Sequence, residues 1–254
     1  MISKLAKILI PSPNRYSPRA YELSRISIHC MAGNLTVKRC GELFANPDRE
    51  ASSNYGIGSN GDCACYVDEK DGSWCTSNRD NDMRAITIEV ANDGDEKTGW
   101  HVSDKAMNTL IDLLVDICKR NNKDTLVWFG DKEKSLAYKP KKNELLLTVH
   151  RWFANKECPG EYLYNKHPEI VGKVNRILGA KSTQNKIKAK SYKVKITADT
   201  LNVRKGAGTK YAIATKVKKN EVYTIVDEKS VSGTKWGKLK SGAGWISLKY
   251  TKKI

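Results

Sequence analysis

Residues 180–191, Ala-Lys-Ser-Thr-Gln-Asn-Lys-Ile-Lys-Ala-Lys-Ser, hold one large apolar side chain, Ile187, and so cannot supply a hydrophobic core. A segment this polar and lysine-rich reads as an interdomain linker. It follows a helical pattern of Ile170, Val171, Val174, Ile177 and Leu178 that stops at Gly179, a residue suited to the left-handed turn just beyond a helix end. The chain is therefore expected to fold as two units, 1–179 and 192–254, joined by 180–191. Its 254 residues agree with this, since single domains centre on roughly 100–150.

Charge and cysteine divide at the same place. Residues 1–179 add little to the formal +17, with 26 Lys and Arg against 24 Asp and Glu; residues 180–254 hold 19 against 4. A basic module beside a neutral one points to a polyanionic partner: nucleic acid, anionic lipid or an anionic cell-wall polymer. All seven cysteines precede residue 180. Their odd number, with no C-x-x-C pair and no secretory leader, is expected of reduced thiols made in a cytosol. The opening MISKLAKILIPSP has a short apolar run cut by Pro11 and Pro13, and no small-residue cleavage site. No apolar run nears the ~20 residues of a membrane-spanning helix, so membrane insertion is not expected.

Within 1–179, strand and helix signals alternate. Arg25–His29 is a short β-branched run, and Asn34 is placed to cap a helix carrying Leu35, Val37, Cys40, Leu43 and Phe44. Tyr55–Ser59 and Asp62–Val67 read as the strands of a hairpin turning through Asn60-Gly61. Ala85–Val90 is a further strand, and Ser103 starts a helix with Met107, Leu110, Ile111, Leu114, Val115 and Cys118 on one face. Thr125–Phe129 and Leu145–His150 are apolar runs, and His167-Pro168 is expected to open the last helix with proline in its first turn. This is an α/β pattern, a mixed β-sheet flanked by helices. After the linker, short alternating runs separated by turn residues predict a small all-β barrel.

Two of the four histidines, His29 and His150, end strand-like runs, where α/β sheets present functional groups. Cys158 follows His150 by eight residues and precedes Pro-Gly. Two imidazoles and a thiolate could bind a catalytic zinc with the fourth tetrahedral position free. Spacing alone leaves open the plainer reading of strand-end histidines and a buried thiol. Cys63 and Cys65 share one face of a strand and read as small core residues. His101 and His167 read as structural.

The segments ISIHCMAGN, SSNYGIGSNG, AITIEVAND and LTVHRWFANKECPG, in that order over roughly residues 20–178, resemble the zinc-dependent N-acetylmuramoyl-L-alanine amidases of the phage-lysozyme and peptidoglycan-recognition superfamily. The resemblance implies one Zn2+ held by His29, His150 and Cys158. It also implies that Lys156 steadies an oxyanion or passes a proton, that Tyr55 orients the water or the oxyanion, and that Glu89 assists the water. Taken alone, Lys156 could be a solvated loop lysine, Tyr55 a core tyrosine and Glu89 an edge-strand acid facing solvent. Two departures stand out. Cys30 stands where the family often has a second histidine, and Ser73-Trp74-Cys75-Thr76 stands where it often has Trp-His-Ala-Gly. Trp74 is thus expected to line a substrate groove of altered detail.

In the basic module, LNVRKGAGTKY and the Trp236 and Trp245 pair within WGKLKSGAGWISLKY resemble a bacterial SH3 domain of the cell-wall-targeting kind, with Ala207 where proline is usual. This implies binding to bacterial peptidoglycan, with Tyr211, Trp236 and Trp245 as wall contacts and lysines drawing in anionic wall polymers through a field that salt screens. The tryptophans could instead fill a small core. Together the resemblances imply an endolysin of phage or prophage origin, lysing Gram-positive cells. It would cleave the amide between N-acetylmuramic acid and L-alanine of the stem peptide by zinc-activated water. It would accumulate in the host cytoplasm and need a separate factor, such as a holin, to reach the wall. The alternatives are a bacterial autolysin with the same chemistry and a non-catalytic peptidoglycan-recognition protein. Specific nucleic-acid binding is not expected, because the basic module shows no recognised RNA- or DNA-binding motif.

Overall fold

The apolar runs of the first part of the chain become the strands of one mixed sheet. The computed structural model describes residues 2–180, 191–231 and 234–254. Contacts divide it into two units, Met1–Lys181 and Ser182–Ile254. All but the end residues of the linker expected at 180–191 lie outside the described residues.

In chain order the first unit has β1 (Ile8–Leu9), β2 (Arg15–Tyr16), β3 (Arg25–Cys30), α1 (Val37–Ala45), β4 (Tyr55–Ile57), β5 (Cys63–Cys65) and β6 (Gly72–Ser73). There follow α2 (Arg79–Arg84), β7 (Ala85–Val90), α3 (Asp104–Arg120), β8 (Thr125–Val127), α4 (Lys132–Ala137), β9 (Glu144–Thr148) and α5 (Gly160–Ile177). Seven of the strands form a sheet in the order β1-β5-β4-β7-β3-β9-β8, and β2 pairs with β6 apart from it. Around β3 the pairing is parallel, to β7 on one side and β9 on the other.

Period-two alternation divides the chemistry of the sheet between its faces. Ile26, Ile28, Tyr55, Ile57, Ile86 and Ile88 point to the face covered by α3 and α5, where Leu110, Leu114, Ile117, Leu163, Ile170 and Val174 complete the core. Ser27, His29, Thr87 and Glu89, one residue out of step, point to the other. There Ala64 packs under α1 with Val37, Cys40, Phe44 and Tyr66. Gly56 makes that packing possible, because a Cβ on it would fall 2.3 Å from the Tyr66 hydroxyl. Cys63 and Cys65 are buried on the α3 face, as small core residues, and burial pushes both thiols up to about 12.

Local signals place most elements and misplace three. The β4–β5 hairpin turns at Gly61 with φ +91°, and Ser103 caps α3 by accepting the Ala106 N–H. Helix α1 begins later than Asn34 suggested, capped by Thr36, which accepts the Arg39 N–H at 3.1 Å; Asn34 instead accepts the Ser59 hydroxyl. Strand β9 stops at Thr148, and His150 opens a 3-10 turn, His150–Trp152, rather than ending the strand. Helix α5 starts at Gly160, so Pro168 lies inside it and not in its first turn. The proline removes one backbone donor. In the same turn, His167 Nδ1–H donates to the Leu163 carbonyl at 2.7 Å. The helix ends as expected, with Gly179 at φ +68° just beyond it.

The second unit is all-β. Its strands are β10 (Tyr192–Ile196), β11 (Thr200–Arg204), β12 (Ile213–Lys218), β13 (Val222–Val231), β14 (Thr234–Leu239), β15 (Trp245–Ser247) and β16 (Thr251–Lys253), in the order β12-β11-β15-β14-β13-β10-β16. Every pairing is antiparallel. Its core is Val194, Ile196, Leu201, Val203, Val217, Ile225, Leu239 and Ile246. No helix among the described residues is long and apolar enough to cross a membrane.

Candidate metal centre

Three chain segments bring His29, His150 and Cys158 together at the carboxyl end of the parallel strands. His29 is the fifth residue of β3, fully buried, and lies opposite Glu89 of β7 in the parallel register. The Ser27 hydroxyl, two residues back on the same face, sits 2.9 Å from His29 Nε2 and fixes the ring. That leaves Nδ1 facing Cys158 Sγ at 3.3 Å and Glu89 Oε1 at 4.0 Å. His150 enters from the turn after β9, its ring 5.2 Å from that of His29 and its Nε2 3.3 Å from the Ser77 hydroxyl. The Arg151 N–H donates to the Cys158 carbonyl at 3.1 Å and closes the loop that carries the thiol back.

The ligand atoms of His29, His150 and Cys158 all lie within 4.8 Å of one another. Burial, then the charge of neighbouring His150, holds His29 well below the usual imidazole range, so it is neutral. His150 is lowered by burial and by the Lys156 ammonium. Burial pushes the Cys158 thiol well up. A neutral imidazole pair is ready to ligate, and a metal must displace the thiol proton. Glu89, raised by burial above all, has an Oε2 that is buried without a hydrogen-bond partner. Two nitrogens and one sulfur, with the orphaned Glu89 oxygen adjoining them, are a three-donor set that fits the zinc implied by the sequence and leaves its fourth position free.

The other site residues expected from sequence are distributed unevenly. Glu89 is in the cluster, and the Lys156 charge is close enough to act on His150. Tyr55 is not there, which corrects its expected part in orienting water or the oxyanion. It is 0% exposed on the α3 face, opposite to His29. Its hydroxyl donates to Glu69 Oε1 at 2.6 Å and accepts the Ser3 N–H at 2.9 Å, while Arg120 pairs with the same Glu69. Trp74 is half-buried, its ring 5.5 Å from Tyr16 and its Nε1 enclosed without a partner. In the second unit, Trp236 and Trp245 are 5% and 8% exposed and pack with Ala207 and Val231, so both serve as packing rather than as open platforms. Trp236 still lines a groove of about 400 Å³ with Arg204, Lys249 and Tyr250. Tyr211 is 42% exposed, its ring lying on Gly206, where a Cβ would come within 2.6 Å of it.

Sequence reasoning missed the residues that hold the cluster in place. Ser27 could have been found, since period two puts it on the face of His29. Cys75 was visible only as a departure from the family motif; its Sγ lies 3.8 Å from Glu89 Oε1. Asp82, which accepts from the N–H groups of Cys75 and Thr76 and from the Thr76 hydroxyl, gave no local signal.

Residues 19–161 match the sequence profile of the N-acetylmuramoyl-L-alanine amidase family, and residues 199–252 match the bacterial SH3 domain. No curated protein matches the chain. Among solved structures it is similar to the catalytic domain of XlyA, at 15% identity and a TM-score of 0.48, over 66% of this chain and 97% of that one. It is likewise similar to a mutant endolysin from Bacillus subtilis, at 15% identity and a TM-score of 0.47, over 66% and 97% of the two chains. A third is the amidase LysCS from Clostridium intestinale URNW, at 16% identity and a TM-score of 0.44, over 67% and 97%.

Proposed function

The chain belongs to the N-acetylmuramoyl-L-alanine amidase family and carries a bacterial SH3 domain, and on that footing we propose that it is a zinc-dependent peptidoglycan hydrolase. It cuts the amide between N-acetylmuramic acid and the L-alanine of the stem peptide. The observation that carries this reading is the convergence of His29, His150 and Cys158, with Glu89 beside them. Zinc bound there would polarise the amide carbonyl and bring the pKa of a water toward ~7.

The chain's own residues do the rest. Glu89, on the same face as His29, takes a proton from the attacking water and passes it to the leaving nitrogen, general acid–base work that a buried carboxyl is suited to. Lys156 offers a cation for the negative charge that develops on the carbonyl oxygen. Ser27 and Ser77 hold the two imidazoles in orientation. The basic second unit keeps the enzyme on anionic wall material, with Tyr211 and the groove that Trp236 lines as contacts.

The setting proposed is that of an endolysin acting on Gram-positive walls after release by a separate factor. An autolysin would share the chemistry and would differ in leaving its own cell without such a factor. Mass spectrometry of digested Gram-positive peptidoglycan tests the bond cut. New L-alanine amino termini beside intact glycan strands are expected. Cuts within the glycan or the cross-bridge would overturn the assignment, and binding without any cut would favour a recognition protein.

A further inference from the structure

The cluster around His29 contains a second set of metal donors, which shares His29 and Glu89 with the amidase reading and adds Cys75, a residue that reading does not use. A ring nitrogen of His29, Cys75 Sγ and a Glu89 carboxylate oxygen lie within 4.8 Å of one another. Sγ is 3.8 Å and Nδ1 4.0 Å from the same Oε1. Imidazole, thiol and carboxylate are the ligand types of zinc and of softer divalent ions. Two observations argue against inert packing. Glu89 Oε2 is buried without a hydrogen-bond partner, a cost to folding unless something pairs with it. The Cys75 thiol also points at this carboxylate, donating to Glu89 Oε1 at 3.8 Å.

We propose that His29, Cys75 and Glu89 form a second position for one thiophilic divalent cation, alternative to the His29–His150–Cys158 position. The two exclude each other because both draw on His29 Nδ1, its Nε2 being engaged by the Ser27 hydroxyl. Cys75 is anchored for the role, since its N–H donates to Asp82 Oδ2 at 3.1 Å. Thr76 donates both its N–H and its hydroxyl to the same carboxylate. On binding, the thiol and carboxyl protons pass to bulk water and the cation accepts thiolate and carboxylate in their place. A cation here engages Glu89 and releases His150 and Cys158. The metal is then retained while the hydrolytic arrangement is dismantled. The ligation does not rest on the amidase reading; only its consequence for turnover does.

Cobalt(II) titration of the full-length protein, followed by the thiolate-to-cobalt absorption, reads ligation without reference to catalysis. In Cys158→Ser the band is expected to persist at weaker affinity and to be lost when Cys75→Ser is added. Adding Glu89→Gln instead is expected to weaken binding again. No band in Cys158→Ser, or a band that survives in the Cys158→Ser, Cys75→Ser double variant, overturns the proposal. If Cys158→Ser does not fold, shown by lost near-UV circular dichroism, anomalous scattering from cadmium-loaded wild-type crystals decides. Two partly occupied, mutually exclusive peaks flanking His29 support the second position. A single peak bounded by His150 and Cys158 overturns it.

Discussion

Lys156 and Tyr55 carried comparable expectations from sequence, and the sheet separates them. Lys156 is exposed on the loop before Cys158, and its charge reaches His150. Lys156→Ala is expected to keep its metal and lose about 10²-fold or more in turnover, the usual cost of removing one charge-stabilising group. Metal analysis of the purified variant checks this, and loss of bound zinc would make the lysine a structural residue. Tyr55→Phe is expected to behave in the opposite way. Its hydroxyl serves Glu69 and the Ser3 N–H inside the α3-side core. Removing it should lower unfolding free energy by about 1–3 kcal/mol and leave turnover near wild type. Denaturant melts beside rate measurements decide, and lost turnover at full stability would return the hydroxyl to the chemistry. The error in the sequence reading has a plain cause: a tyrosine in a motif says which strand it is on, and only register says which face.

At the scale of elements, what was legible followed from local rules. The alternation in β3 and β7, the Asn60-Gly61 turn and the Ser103 cap are each decided within a few residues, and each appears where the sequence put it. Helix α5 was misplaced because proline favours a first turn, whereas here tertiary packing carries the helix through Pro168. The adjoining His167 is 0% exposed and stacks on Trp128 at 4.3 Å, with Nε2 lacking a partner. Burial lowers its pKa to about 4. As pH falls from about 6.5 to 4, the unfolded chain takes up a proton there that the folded chain refuses. Stability should therefore drop by ~1.4 kcal/mol per pH unit, about 3 kcal/mol in all. His167→Asn can keep a donor toward Leu163 and cannot titrate. Its stability is expected to be lower overall but flatter over that range, measured by denaturant melts at stepped pH. An unchanged slope would mean that His167 is protonated when folded.

At the scale of the whole molecule, contacts divide the chain into two units, each with its own buried cluster. The charge asymmetry was legible from where Lys and Arg fall along the sequence, whereas the tryptophans were open to two readings there, as wall contacts or as core, and only the fold packs them with Ala207 and Val231. A chain lacking 180–254 is expected to cut soluble muropeptide-type fragments at near the full rate and to bind walls less. The wall binding it loses should be the salt-sensitive part, read by cosedimentation at stepped ionic strength. Equal wall affinity without the module would contradict the targeting role. The central claim is that His29, His150 and Cys158 hold the one zinc on which cleavage depends. The measurement that reaches it most directly is a zinc titration of chelator-stripped protein, following new L-alanine amino termini released from purified wall. The rate is expected to rise from near zero, break at one equivalent of zinc, and stay near zero throughout in His150→Ala. Full cleavage by the stripped protein, or by His150→Ala, would contradict the account.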